Sequence, residues 1–214
     1  MSLFFSNQQS DTGSAAYEDF EYSSKSDFDA EYQGDTGNVT LATSPVWNGS
    51  QSLQGTDVNA IVTSDPNGSV VGPQRGDVFD FFIQFDDAEQ AYPRFGFARQ
   101  DDGTVDGGNG YYIDFDDPID GSNLGIKLGT SGSADPDGSY DYFAPPSGFV
   151  RIRTDFDSAG DGTMRSSVYP DATSDPSTTT AAAFSEITGT SAYDSGLIQF
   201  RDNGVTTYDY LVPA

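Results

Sequence analysis

An all-β, two-sheet antiparallel β-sandwich is the fold class that this sequence predicts. Three observations carry the expectation. Apolar residues recur with a period of two, helical periodicity is almost absent, and each alternating run is closed by Gly, Asp, Asn or Pro. The clearest run covers 77–86: Phe79, Phe81, Ile83 and Phe85 share one face, and Asp80, Gln84 and Asp86 the other. Successive strand residues point to opposite sides, so this is a half-buried strand with its aromatic face inward. The same alternation marks Tyr111, Ile113 and Phe115, then Leu124, Ile126 and Leu128. It returns at Val150 and Ile152, at Met164 and Val168, and at Tyr208, Tyr210 and Val212.

Turn signals fall between the runs. Asp65-Pro66-Asn67-Gly68, Asp101-Asp102-Gly103, Asp135-Pro136-Asp137-Gly138, Asp161-Gly162 and Asn203-Gly204 each supply residues that initiate turns or tolerate positive φ. Many short strands at this spacing predict a sandwich. No linker divides the chain: 171–183, rich in Ser, Thr, Asp and Ala, reads as a long connection between two strands. The expected organisation is therefore an N-terminal arm, 1–15, and one domain over 16–214. The arm is polar apart from Leu3, Phe4 and Phe5.

Composition excludes several function classes. Thirty-four acidic residues stand against 9 basic ones, a net charge of −25, and Glu occurs only at Glu18, Glu21, Glu31, Glu89 and Glu186. Such a surface repels itself in dilute buffer and is screened in molar salt, where the Debye length is about 3 Å. The expectation is a high-salt protein, with an acidic calcium-rich extracellular protein as the alternative. Nucleic acid is not an expected partner, because no basic patch exists to displace counterions from phosphates. The chain has no cysteine, so stability is expected from packing, with bound cations as an optional addition. The start shows no basic segment followed by an apolar stretch, and no window approaches the roughly 20 apolar residues of a membrane span.

The order of motifs resembles the concanavalin A-like lectin/glucanase jelly roll, particularly its laminin-G-like and carbohydrate-binding branches. The carrying segments are Tyr17-Glu18-Asp19-Phe20-Glu21 as a first strand and Ser44-Pro45-Val46-Trp47-Asn48-Gly49-Ser50 as a turn entering Ser52-Leu53. They continue through Phe79 to Phe85, Gly110-Tyr111-Tyr112-Ile113, the hairpin Phe149 to Tyr169, and Gly196-Leu197-Ile198-Gln199-Phe200 leading to Thr207-Tyr208-Asp209-Tyr210. The resemblance spans Tyr17 to Val212. It implies a jelly-roll sandwich and, through its carbohydrate-binding branches, contact with glycans.

Catalytic chemistry is largely absent from the sequence. Without histidine or cysteine, neither imidazole-based nor thiol nucleophile arrangements can form. Glycoside hydrolases place two carboxylates across the scissile bond, and the glucanases of the resembling family carry Glu-x-Asp-x-x-Glu on one strand. This sequence has no such match; Glu18 and Glu21 stand at the wrong spacing. The expectation is a protein that is not an enzyme.

Two Asp-rich loops offer oxygen ligands for Ca²⁺ or Mg²⁺: Asp101, Asp102 and Asp106 in one, and Asp155, Asp157 and Asp161 in the other. Ordinary Asp/Gly turns explain both loops without a metal, and Ser166 stands where a calcium loop would place a bidentate Glu. Sugar binding needs exposed rings beside directional polar groups, which points to Tyr92 and Arg94 and to Tyr140, Tyr142 and Phe143. The alternative is that these rings cover the sandwich rim or pack on a neighbouring subunit. Trp47, beside the Asn48-Gly49 turn, reads as a packing residue.

Together these readings predict a non-catalytic subunit of a virion from a salt-rich setting, such as a capsid decoration, turret or tail-associated protein. It would bind copies of itself and other virion proteins, and contact surface glycans. The alternative is a carbohydrate-binding or adhesion module, extracellular or at a cell surface.

Overall fold

The computed structural model describes residues 16–56, 60–85, 93–100, 109–116, 123–133, 135–202 and 206–214. The proposed arm at 1–15 lies outside them. One short helix, α1 (Lys25–Glu31), precedes β1 (Tyr32–Gly34), β2 (Val39–Ala42), β3 (Ser52–Gly55), β4 (Ala60–Ser64), β5 (Val78–Phe85) and β6 (Arg94–Arg99). There follow β7 (Gly110–Asp116), β8 (Leu124–Ser131), β9 (Asp141–Phe143), β10 (Val150–Phe156), β11 (Met164–Tyr169), β12 (Ala183–Ile187), β13 (Leu197–Asp202) and β14 (Thr206–Pro213). They form two antiparallel sheets of seven strands, ordered β1-β4-β13-β6-β7-β8-β9 and β12-β11-β10-β5-β14-β3-β2. The predicted β-sandwich is the observed one. Among the described residues, no helix is long and apolar enough to cross a membrane.

The core lies between the sheets and is strongly aromatic. The inward side of β5 is the predicted one: Phe79, Phe81, Ile83 and Phe85 are all buried. They meet the first sheet ring to ring, Phe79 lying 5.4 Å from Phe97 and Phe81 4.7 Å from Phe95 between centroids. Each such side chain contributes about 1.5–3 kcal/mol by leaving water. The expected faces of β7, β8, β10 and β11 are buried in the same cluster. The connection at 171–183 links β11 to β12 as expected.

Two elements differ from the sequence reading. In β14, Asp209 pairs with Phe82 but Val212 pairs with Asp80, so one extra residue enters the strand. Tyr210 takes φ 52° there, and Leu211, not Tyr210, turns inward beside Tyr208. A bulge reverses the alternation that predicted Tyr208, Tyr210 and Val212 on one face.

The segment expected as a first strand makes only an isolated bridge between Glu18 and Leu211, because Phe20 turns the chain at φ 57°. The turn is tied by the buried Glu18 carboxylate, which accepts from Phe20 N at 2.6 Å, Tyr22 Oη at 2.8 Å and Tyr32 Oη at 2.6 Å. Burial pushes the pKa of Glu18 up, and these bonds only partly offset it. Helix α1 follows, capped by Ser24, whose Oγ accepts from Asp27 N. Its seven residues bury only Phe28, too few for helical periodicity to show.

Candidate functional site

Strands β6 to β9 form one half of the first sheet, and their alternation assigns the outer face without ambiguity. Phe95, Phe97, Tyr111, Ile113, Phe115, Leu124, Ile126 and Leu128 belong to the core. The intervening residues face outward. Cross-strand register then aligns Arg94 with Asp114 and Asp114 with Lys127 in one row. A second row aligns Gly96, Tyr112 and Gly129, and a third aligns Asp116, Gly125 and Tyr142.

The two glycines of β8 make room for tyrosine rings. Tyr112 lies across Gly129, and a Cβ at Gly125 would stand 2.9 Å from both Tyr140 Cδ1 and Tyr142 Cε1. With no side chain at Gly125, Tyr140 and Tyr142 lie over the strand as a near-parallel pair, 6.3 Å between centroids and 18° between planes. Tyr142 is 50% exposed.

Beside the rings stands a network of paired charges. Asp114 accepts from Arg94 Nε at 3.0 Å through one oxygen and from Tyr140 Oη at 2.9 Å through the other. The Arg94 guanidinium lies 4.3 Å from the Tyr112 ring centroid, a cation–π contact. Lys127 Nζ donates to Asp137 Oδ2 at 3.0 Å, and Thr130 N donates to Asp137 Oδ1 at 2.8 Å.

Burial and these contacts shift the Tyr140 and Tyr112 phenols and the Lys127 ammonium. Burial, then the charge and hydrogen bond of Asp114, push the Tyr140 phenol well above its usual range. Burial, then the Asp137 charge, raise Tyr112. Burial opposes the Lys127 ammonium, but the bond to Asp137 and the surrounding charges of Tyr112, Asp137 and Asp114 together outweigh it and the pKa rises. The site is an array of tyrosine rings and paired ions.

Of the residues proposed from sequence, Arg94, Tyr140 and Tyr142 meet here. Phe143 instead turns into the core. Tyr92, Asp101, Asp102 and Asp106 lie outside the described residues. The sequence reading did not assign Asp114, Tyr112, Lys127 or Asp137 to a site; the outward positions of alternating strands were the signal for the first three, and Asp137 lies in the turn between β8 and β9.

The second Asp-rich loop is occupied by internal bonds. Asp155 accepts from Ser158 N and Oγ, both at 2.8 Å, and Asp161 accepts from Thr163 N at 2.9 Å. Asp157 accepts from Gly162 N at 2.8 Å and pairs with Arg75 Nη1 at 2.8 Å. Burial works against the charge on Asp157, yet Arg75 and Gly162 outweigh it and lower its pKa. Arg75 also donates to Asp194, Tyr111 Oη and the Tyr193 carbonyl, joining three loops. Among the described residues, no group of three acidic side chains is arranged to hold a metal ion.

Trp47 packs face to face on Phe82, 4.9 Å between centroids, and its amide donates to Asp209.

No family model and no curated protein sequence matches the chain. Solved structures do. A legume lectin-like domain from Entamoeba histolytica matches at TM-score 0.57 and 10% identity, covering 94% of this chain and 98% of that one. A protein of unknown function with a galectin-like fold from Bacillus subtilis matches at TM-score 0.51 and 12% identity, covering 94% and 96%. The fold is a jelly-roll β-sandwich, shared with these two structures. At these identities the likeness concerns fold, and function has to be argued from the site.

Proposed function

We propose that the protein is a non-catalytic carbohydrate-binding module whose ligand lies on the outer face of β6 to β9. One observation carries the reading: the stacked Tyr140–Tyr142 pair, half-exposed at Tyr142, beside the fixed donors and acceptors of Arg94, Asp114, Lys127 and Asp137. Apolar faces of pyranose rings stack on aromatic rings while their hydroxyls take directional hydrogen bonds, and this surface offers both. The two solved neighbours, one a legume lectin-like domain and the other of galectin-like fold, share the sandwich architecture that carries this surface.

Charge narrows the ligand to a neutral saccharide. Arg94 and Lys127 are each already paired with an acid, in a chain of net charge −25. An anionic sugar would meet a repulsive field without gaining a spare counter-charge. The non-catalytic part of the proposal is supported by Asp114, whose two oxygens each accept a hydrogen bond from a fixed donor, which makes it a positioned acceptor. Of the settings expected from sequence, a virion subunit rests on acidity, the jelly-roll body and the polar arm, whereas glycan contact is what this geometry supports.

The test is calorimetric titration with neutral oligosaccharides of defined linkage. Tyr142→Ala should weaken binding about tenfold, the equivalent of about 1.4 kcal/mol, without lowering thermal stability. A panel that fails to bind, or binding indifferent to Tyr142, would defeat the proposal.

A further inference from the structure

The exposed aromatic surface does not stop at β9. Among the described residues the exposed large hydrophobic side chains are Val71, Tyr142 and Phe184, and the last two share an edge of the sandwich. Tyr142 lies on β9, the outermost strand of the first sheet, and Phe184 on β12, the outermost strand of the second. The edges are sewn together: Phe184 N donates to Asp141 Oδ2 at 3.0 Å, one residue before Tyr142. Ser185 Oγ donates to the Ser139 carbonyl at 3.0 Å and accepts from Leu128 N at 2.9 Å. Exposed rings therefore flank a closed, hydrogen-bonded seam.

Beyond Phe184 the polar surface continues. The Arg165 guanidinium lies 3.8 Å from the Phe184 ring centroid, and its side chain is 45% exposed, with Glu186 at 3.9 Å. A trough of about 310 Å³ then runs over the outer face of β10 and β11, lined by Arg153, Asp155, Arg165, Ser167, Tyr169 and Glu186. Donors and acceptors alternate along it, which suits a polyhydroxylated ligand. Arg153 is held by Asp80 through two bonds of 2.8 Å, so here too the cationic groups stand beside acids.

We propose that the saccharide site extends round this edge, from the Tyr140–Tyr142 rings across the β9–β12 seam to Phe184, Arg165 and the trough beyond. The ligand is then an internal stretch of a neutral polysaccharide and not a terminal sugar. Pyranose units of one chain stack on Tyr142 and, beyond the seam, on Phe184, and the trough takes the hydroxyls of the units that follow. This extension rests on the reading of the tyrosine face as a saccharide platform.

Affinity as a function of chain length tests it. The probes are cello-, manno- and galacto-oligosaccharides of two to eight units, titrated calorimetrically into the full chain. For the linkage that binds, affinity of the unmodified protein should rise about tenfold from the shortest to the longest member. Phe184→Ala and Arg165→Ala should each keep disaccharide affinity within about twofold and lose most of the rise, whereas Phe184→Trp should retain it. Affinity independent of length, or a rise that survives both alanine variants, would overturn the extension. Tyr142→Ala separates the two ideas. If it abolishes disaccharide binding while Phe184→Ala is silent, only the extension fails; if it leaves disaccharide binding intact, the platform itself is wrong.

Discussion

Asp209 is a carboxylate buried in β14, and replacing it with Asn should change how stability depends on pH. Its Oδ2 accepts from Trp47 N at 2.6 Å and Asn48 N at 3.1 Å, while Oδ1 is buried without a protein hydrogen-bond partner. Burial dominates and pushes its pKa from 3.8 to about 7; the Asn48 and Trp47 amides pull the other way, and the nearby Glu21 charge raises it further. The folded state therefore holds this proton more tightly than the unfolded chain. The stability that Asp209 contributes is fully present below about pH 4 and is lost as pH rises through about 7. At about 1.4 kcal/mol per pH unit, that interval sets a ceiling of about 4 kcal/mol. The loop is half-buried at Trp47 and exposed at Asn48, so it can admit water and relax, and about 2 kcal/mol is the expected loss. Asp209→Asn keeps an acceptor for both amides and cannot ionise. Its stability relative to the unmodified protein should rise by about 2 kcal/mol between about pH 3.5 and pH 8.5, the window that spans the whole titration. The assay is urea unfolding at fixed ionic strength, followed by fluorescence of Trp47, the chain's single tryptophan. Other titrations are common to both proteins and cancel in the difference. A difference constant across this range, or one that falls with pH, would refute the reasoning.

Two further outcomes follow from the same network logic. Arg75→Met removes the partner of the buried Asp157 and the donor to Asp194, Tyr111 and Tyr193, so it should destabilise the fold by about 3 kcal/mol in denaturant titrations. A loss below about 1 kcal/mol would mean that the loops hold without this staple. The charge of −25 should make the thermal midpoint climb between low and molar NaCl, as the Debye length shrinks from about 10 Å at 0.1 M to about 3 Å at 1 M. A flat midpoint across the NaCl series would remove the case for adaptation to salt.

What the sequence reveals and what it hides divide along one physical line. Alternation within a strand is local, so Phe79, Phe81, Ile83 and Phe85 announce their inward face from ten consecutive residues. Register between strands is not local. Arg94, Asp114 and Lys127 form one row only because β6, β7 and β8 pair at those positions, and nothing near any one of them in sequence specifies the other two. The same limit explains β14, where a one-residue bulge, invisible to composition, brings Leu211 inward in place of Tyr210. Tyr140 and Tyr142 were legible as rings outside the core pattern, but their stacking over Gly125 needed the β8–β9 pairing. The acidic loop after β10 shows the opposite difficulty. Asp is abundant enough that clusters arise on their own, and Asp155, Asp157 and Asp161 use their oxygens to close turns and hold Arg75. In a chain this acidic, an Asp cluster therefore says little, whereas a cation placed by register between an acid and exposed rings, as Lys127 is, says a good deal.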